Sequence, residues 1–277
     1  MTHFLEYNTD LSGPGIASAF DQLSVWSSRF GALLLDHIPL APNLNILDLA
    51  CGAGFPLFEL AQIYGHSCRI VGVDLWKEAL VRARLKLDFQ PFPNVRLLEA
   101  NGARLPFTEA KFDLVVSNLG INNFENAETA MAECYRVTKP EGKLVLTTNL
   151  TGHMQEFYTV YRDTLMRLNK THYLDNLNHN EQHRGTKESI CGLLEAAGYK
   201  IVKVVEDKFS MRFVNGSTLF NHLLTLYGFL DAWRAVVKLE DEDEVFSAIE
   251  ARLNKIARQN GELKMTIPML YVEGQKR

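Results

Sequence analysis

A turn of small residues at positions 50–54 is the segment of this chain best suited to bind a ligand. It follows a short apolar run that contains an acid and precedes a helical pattern, since residues 45–57 read NILDLACGAGFPL. Small side chains leave the backbone open to close approach, and the start of a helix presents unpaired N–H groups to whatever binds there. The segment therefore predicts a strand, a ligand-binding turn and a helix.

A second acid lies at the end of the next apolar run. Asp74 comes twenty positions after Gly54, in the stretch RIVGVDL of residues 69–75. Parallel strands end at one edge of a sheet, so Asp74 is expected beside the turn, where a carboxylate accepts hydrogen bonds from ribose hydroxyls. Together the two segments predict a site for a nucleoside-containing cofactor.

Two classes of cofactor compete for this turn. A dinucleotide site uses a third glycine for close packing of helix on strand, and Leu57 stands at that position. Asp48 at the tip of the strand would repel a pyrophosphate, whereas its carboxylate suits a cationic sulfonium or ammonium group. The turn therefore disfavours a nicotinamide dinucleotide.

Four segments, in order, resemble the motifs of one enzyme family. Residues 47–54 (LDLACGAG) look like the first motif of class I S-adenosylmethionine-dependent methyltransferases, acid-x-Gly-x-Gly-x-Gly, with Ala50 at the first glycine. Residues 100–107 (ANGARLPF) resemble the family's adenine-binding turn, residues 111–118 (KFDLVVSN) its fourth-strand motif, and residues 135–144 (YRVTKPEGKL) the loop before its fifth strand. The resemblance covers residues 43–149 tightly and 186–205 loosely, and is closest to the quinone and sterol methyltransferases of the small-molecule branch.

The resemblance implies S-adenosylmethionine as cofactor and S-adenosylhomocysteine as its product. Asp74 is expected to bind the ribose and Asp48 the methionine end. Asn101 stands where the family has an Asp that accepts from the adenine amino group; an Asn carbonyl accepts the same bond more weakly, with the N–H of Gly102 or Ala103 facing a ring nitrogen. The predicted cofactor-binding residues are Asp48, Ala50, Cys51, Gly52, Gly54, Asp74, Leu75, Asn101, Gly102, Ala103, Asn118 and Leu119.

His153 is the one candidate for a catalytic side chain, and the sequence leaves its role open. It follows the fifth strand, where it would overhang the methyl group of the cofactor, either as a general base with a pKa near the working pH or as a hydrogen-bonded loop residue. Trp26, His153 and Tyr158 are the predicted substrate contacts. His179 and His183 have the spacing of a metal pair, but no third ligand is apparent and no metal site is predicted.

The composition is that of an ordinary globular protein. Of 277 residues, 47% are hydrophobic and 22% charged, and the four scattered cysteines include no C-x-x-C pair, which favours a reducing cytoplasm over disulfide or zinc frameworks. The net charge of −4 comes without a basic stripe, and no segment has the pattern of a membrane span or secretory signal. We therefore expect a cytoplasmic protein that acts on a small molecule, without nucleic acid or stable membrane insertion, and a homo-oligomer is compatible with the sequence.

Strand and helix patterns alternate through the middle of the chain. The predicted strands are 45–49, 69–74, 95–99, 112–117 and 143–149, and the predicted helices between them are 56–64, 76–88 and 126–137. This alternation predicts an α/β fold, and the resemblance extends it to a doubly wound, mostly parallel, seven-stranded Rossmann-like sheet. Ligands bind at the carboxyl ends of such strands, where Asp48, Asp74, Asn101 and Asn118 fall.

The predicted organisation surrounds this core with helical segments. Residues 1–42 form an N-terminal lid with a helix at 17–35, 43–149 the cofactor-binding core, and 150–185 a poorly periodic cap insertion. A core helix and strand at 186–208, with the strand at 199–206, precede a second insertion at 209–262, with helices at 219–237 and 243–258. The last core strand lies within 263–277, antiparallel by resemblance, with Pro268 near its start or at a bulge. The lid and the insertions predict an all-helical cap.

Methyl transfer from a sulfonium is an in-line displacement that depends mainly on positioning, so a strong cofactor motif without a catalytic signature is expected. Residues 117–120 (SNLG) lack the Pro-Pro-aromatic clamp of enzymes that methylate nucleic-acid bases, and neither the glutamate pair of protein-arginine enzymes nor the cysteines of arsenic methylation are present. The sequence thus predicts transfer to an oxygen or carbon atom of a small aromatic or lipophilic molecule. The alternatives are a non-catalytic cofactor sensor or assembly protein, an aminopropyltransferase, and a nicotinamide-dependent oxidoreductase.

Overall fold

The computed structural model describes residues 4–6, 14–22 and 24–277. Leu23 of the predicted helix 17–35, and most of the first thirteen residues of the predicted lid, lie outside the described residues. The chain divides into two compact units built from non-contiguous segments. The sheet unit comprises Ser12–Asn149, Thr186–Asp207 and Met269–Arg277, and the helical unit comprises Met1–Leu11, Leu150–Gly185 and Lys208–Pro268.

Seven strands form one mixed sheet. They are β1 Asn45–Leu49, β2 Arg69–Asp74, β3 Val95–Glu99, β4 Phe112–Asn118, β5 Thr138–Asn149, β6 Tyr199–Phe213 and β7 Leu263–Lys276. Their order is β3-β2-β1-β4-β5-β7-β6; β1 to β5 pair in parallel, and β7 runs antiparallel to β5 from Lys143↔Gln275 to Asn149↔Met269. The predicted α/β sheet and the antiparallel last strand are confirmed.

Helices connect the strands and make up most of the helical unit. The α-helices in the described residues are α1 Pro14–Gln22, α2 Ser24–His37, α3 Leu57–Tyr64, α4 Lys77–Phe89, α5 Ala127–Val137, α6 Gln155–Arg167, α7 Leu174–Glu181, α8 Lys187–Ala196, α9 Gly216–Phe220, α10 Leu223–Gly228, α11 Leu230–Arg234 and α12 Leu239–Asn260. Single-turn 3₁₀ helices occupy Phe4–Glu6, Gly120–Asn123 and Thr171–Tyr173. Within the described part of the chain, no helix is both long and apolar enough to cross a lipid bilayer.

The central strands form where the sequence is apolar almost without interruption. In β1, the side chains of Ile46, Leu47 and Leu49 are at most 1% exposed, as expected for a parallel strand covered on both faces.

Helix α8 begins with a capping box, in which the side chains of Thr186 and Ser189 each accept a hydrogen bond from the other residue's backbone N–H. Strand β5 begins five residues before its predicted start because Thr138 pairs with Phe112 across a shift in register.

Residues 150–185, for which the sequence gives no clear periodicity, contain helices α6 and α7. Buried positions 157, 160, 161, 164 and 165 of α6 have helical spacing, but Tyr161 and Thr164 are among them and mask the apolar period. The predicted helix 219–237 is instead the three short helices α9, α10 and α11. Pro268 is interior to β7, and its missing N–H is tolerated on the β5 side because that pairing begins at the next residue, Met269.

The acidic run of residues 240–244 lies at the start of α12, and several of its acids are paired with other side chains. Asp241 accepts hydrogen bonds from the Lys170 ammonium and the Tyr173 hydroxyl. Glu242 is 7% exposed and forms an ion pair with Arg234. The first turn of α12 therefore carries a buried charge pair in addition to favourable helix-dipole interactions.

We expect Glu242→Ala to destabilise the protein far more than Glu244→Ala, although both change an acid in the same helical turn. Removing the Glu242 carboxylate leaves the Arg234 guanidinium without its buried partner, at a cost of about 3 kcal/mol. The Glu244 side chain is 58% exposed, so its ion pair with Lys170 contributes less than about 1 kcal/mol. Urea unfolding followed by circular dichroism measures both changes; equal losses would show that Glu242 acts only through surface charge.

Candidate functional site

The small-residue turn after β1 has a left-handed backbone at three positions. Ala50, Gly52 and Gly54 have φ of 62°, 53° and 104°. A Cβ built on Gly52 would meet no protein atom within 4 Å, whereas one on Gly120 would lie 2.7 Å from the Ala50 Cβ. The turn is thus packed against the chain on one side, and at Gly52 its backbone is open to close approach by another molecule.

Asp74 joins this turn to the end of β2. Its Oδ2 accepts the Gly52 N–H at 2.7 Å, and its Oδ1 accepts the Trp76 N–H at 2.8 Å. Burial raises the pKa of the Asp74 carboxyl, and the backbone N–H groups of Trp76 and Gly52 oppose that rise. The spacing argument therefore located Asp74 correctly beside the turn, with unused lone pairs on both carboxylate oxygens.

Asp48 is the polar group in this region that makes the fewest hydrogen bonds within the described residues. Its side chain is fully buried, and among the residues that the structure describes neither carboxylate oxygen has a hydrogen-bond partner. Burial, and then the charge of Asp74, raise its pKa well above the ordinary value. An unpaired buried carboxylate is costly, and a cation at the carboxyl end of β1 would relieve that cost.

The loop after β3 is closed by the side chain of Asn101. Its Oδ1 accepts the Ala103 N–H at 2.8 Å, which makes an Asx turn. The Ala103 N–H is therefore already bonded, and the Gly102 N–H is the better candidate to face a ring nitrogen. A Cβ on Gly102 would lie 3.3 Å from side-chain carbons of Leu49 and Phe124, so the backbone is closely packed here.

The remaining predicted cofactor residues are apolar or already hydrogen-bonded within the protein, so they are suited to line a site more than to donate or accept hydrogen bonds. Asn118 donates from Nδ2 to the Ser27 carbonyl at 3.2 Å and accepts from the Thr147 hydroxyl at 2.7 Å. Leu119 has a left-handed backbone with φ of 65°, and Leu75 is 63% exposed. Cys51 is buried, and burial raises the pKa of its thiol well above the ordinary value, which fits a packing role.

The three predicted substrate contacts belong to different units. Trp26 lies on α2 of the sheet unit, with its ring 5.3 Å from that of Phe30. His153 and Tyr158 lie in the helical unit, where both line a cavity of about 420 Å³. The Tyr158 hydroxyl donates to Asn180 Oδ1 at 2.9 Å and accepts from Trp233 Nε1 at 3.3 Å, so it is already engaged within the protein.

His153 is poorly suited to act as a base at neutral pH. Its side chain is 3% exposed, and burial, followed by the positive charge of Arg184, lowers its pKa to about 4. A general base works best with a pKa near the operating pH. His179 and His183 line the same cavity, but no group of three His, Cys, Asp or Glu side chains in the described residues is arranged to hold a metal ion.

Comparison with known proteins relates the sheet unit to one family. Residues 47–146 match a family model described as a methyltransferase domain. Over 142 residues the chain is 30% identical to the demethylmenaquinone methyltransferase of Lactococcus lactis subsp. lactis, covering 51% of this chain and 55% of that protein. Over 151 residues it is 34% identical to a ubiquinone/menaquinone biosynthesis C-methyltransferase of Rickettsia typhi, covering 51% and 58%. The chain thus spans little more than half the length of these relatives.

Solved structures share the fold. A SAM-dependent methyltransferase from Aquifex aeolicus superposes with a TM-score of 0.55 at 18% sequence identity, covering 70% of this chain and 92% of that one. At this identity the similarity establishes the fold of the chain.

The buried imidazole of His153 predicts a specific pH dependence of stability. Its pKa is about 4 in the folded state against 6.5 for an unperturbed histidine, so the unfolded chain binds one more proton between these values. The free energy of unfolding therefore has its full value above about pH 6.5 and falls by roughly 3 kcal/mol as the pH is lowered towards 4.

We expect the free energy of unfolding of His153→Gln, measured in urea, to fall by less than that of the wild type over this pH range. Parallel pH profiles for the two proteins would contradict the assignment.

Proposed function

We propose that the chain is a class I S-adenosylmethionine-dependent methyltransferase, which moves a methyl group from this cofactor to a carbon or oxygen atom of a small lipophilic molecule. The match of residues 47–146 to a methyltransferase-domain model supports this proposal. The observation that carries it is the fully buried Asp48 carboxylate, which has no hydrogen-bond partner in the described part of the chain and lies at the carboxyl end of β1, where the glycine turn and Asp74 meet. A site built for a pyrophosphate would not bury an unpaired anion at this point.

The residues present fit this cofactor. The unpaired Asp48 carboxylate matches the positive charges of the methionine end, and Asp74 has lone pairs available for the ribose hydroxyls. Gly52, where a Cβ would point into open space, allows the backbone to come close to a ligand. We propose that Asn101 and the Gly102 N–H hold the adenine, while Ala50, Cys51, Gly54, Leu75, Ala103, Asn118 and Leu119 form the surrounding walls.

The chemistry requires little of the protein beyond binding and alignment. When bound, the cofactor supplies a methyl group already activated by its sulfonium. Asp48 stabilises the charged end of the cofactor in a setting of low polarity, where Coulomb interactions are stronger than in water. Holding donor and acceptor in line contributes up to roughly 7–11 kcal/mol to such reactions. No residue is assigned as a base, since the pKa of His153 is about 4.

The names of the relatives support a lipophilic acceptor. Both relatives described above act in quinone metabolism by name, and one is a C-methyltransferase. Since the matched segments cover about half of each protein, they bear on the methyl-transfer domain more than on the part that selects the acceptor. We propose a small aromatic or lipophilic acceptor and favour carbon as the methylated atom.

Calorimetric titration of S-adenosylhomocysteine tests the cofactor assignment. We expect micromolar binding to the wild type and a ten- to hundredfold loss in Asp74→Ala, because hydrogen bonds to a charged group contribute roughly 1.5–3 kcal/mol. Asp88→Ala, which changes an exposed acid on the neighbouring helix α4, is the matched control and should bind as the wild type does.

Two outcomes would contradict the proposal. Binding of NADH in place of S-adenosylhomocysteine would assign the turn to a dinucleotide. Equal losses in Asp74→Ala and Asp88→Ala would show that the effect comes from net charge and that Asp74 does not contact the ligand.

A further inference from the structure

The cavity of the helical unit has a positive charge that no acid neutralises. Arg184 lines this cavity beside His153 and Tyr158, and within the described part of the chain its side chain forms no ion pair or hydrogen bond. Glu181, the acid nearest to it in sequence, is paired with Arg162 at 2.5 Å. No Asp or Glu occurs among the described residues that line the cavity.

The other polar groups of the cavity divide into used and unused ones. Asn180 accepts from the Tyr158 hydroxyl and donates to the Ala232 carbonyl at 2.9 Å, and Asn176 donates to the Val236 carbonyl at 3.1 Å. In contrast, the buried Nδ1 of His153 has no hydrogen-bond partner among the residues that the structure describes. The imidazoles of His179 and His183 also line the cavity. Of the buried polar groups, the Arg184 guanidinium and the His153 imidazole are the two that a ligand could engage.

Another part of the lining is apolar. It comes from residues 228–236 and includes Phe229, Trp233 and Val236. The Phe229 and Trp233 rings stack on each other with centroids 5.7 Å apart and an interplanar angle of 21°, and the Phe229 ring lies 5.8 Å from that of His153. Aromatic side chains of this kind favour stacking with a planar apolar ligand.

We propose that this cavity binds a small, flat, apolar molecule bearing one carboxylate, which pairs with Arg184 while a ring nitrogen of His153 bonds a polar atom of the ligand. A single guanidinium presents a planar fork that matches the two oxygens of a carboxylate. The lining holds one such cation, which suits one negative charge rather than the two of a phosphate monoester. Burial lowers the pKa of both Arg184 and His153, which is consistent with an anion being the missing partner.

This inference concerns the helical unit alone and goes beyond the proposed methyl transfer.

Calorimetric titration with 2-naphthoate, and with its neutral analogue 2-naphthamide, tests the proposal on the full chain. We expect 2-naphthoate to bind the wild type and to lose at least tenfold in affinity in Arg184→Gln. Arg167→Gln is the matched control, because Arg167 is an exposed arginine of α6 in the same unit and does not line the cavity. The affinity for 2-naphthamide should be weaker in the wild type and equal in all three proteins.

Ala235→Trp adds a steric test. Ala235 lines the cavity but is exposed, so a larger side chain there can fill the cavity without disturbing the core. We expect this variant to bind neither compound. The proposal is overturned if 2-naphthoate at millimolar concentration does not bind the wild type, if it binds Arg184→Gln equally well, or if 2-naphthamide binds the wild type as tightly.

Titration of S-adenosylhomocysteine into the same proteins separates this proposal from the proposed function. Normal binding of S-adenosylhomocysteine together with no response to 2-naphthoate would contradict only the cavity assignment. Binding of 2-naphthoate that depends on Arg184, in a protein that does not bind S-adenosylhomocysteine, would contradict only the cofactor assignment.

Discussion

The central constraint on the sheet unit is the buried Asp48 carboxylate, which has no hydrogen-bond partner among the described residues. Asp48 is the next-to-last residue of β1 and pairs with Gly72 of β2 and Val116 of β4, the strands on either side. A charge in this position is tolerated only if its proton is retained or a cation binds to it. The nearby features follow from the same requirement, because the left-handed turn at 50–54 and the bond from Gly52 to Asp74 keep the backbone beside Asp48 free of large side chains.

The helical unit has a well-packed aromatic core and a cavity in which the charge of Arg184 is not neutralised by a lining acid. Phe157 and Trp233 stack at 3.8 Å, and Tyr161 and Phe220 pack around them. Buried ion pairs such as that of Glu242 with Arg234 are complete within the unit. Arg184 and the Nδ1 atom of His153 have no hydrogen-bond or ion-pair partner in the described part of the chain, and neighbouring unpaired polar groups of this kind are typical of a ligand site.

Much of the sheet could be predicted from the sequence, because apolar strands and glycine turns alternate there at regular spacing. Asp74 was located correctly from its distance to Gly54, since adjacent parallel strands end at the same edge. The bounds of helix α6 cannot be read from the sequence, because Tyr161 and Thr164 occupy buried helical positions and hide the apolar period. The low pKa of His153 could not be predicted, because it depends on burial and on the nearby charge of Arg184, which only the tertiary fold brings together.

Carbon-13 NMR titration of the Asp48 side-chain carboxyl, with and without S-adenosylhomocysteine, tests the central claim most directly. We expect a pKa well above the ordinary aspartate value in the free protein, because the group is buried and unpaired. On binding, the pKa should fall, because the ammonium of the ligand stabilises the ionised carboxylate. A pKa that is ordinary in the free protein, or that does not change when the ligand binds, would contradict the claim that Asp48 is the buried counter-charge of the cofactor.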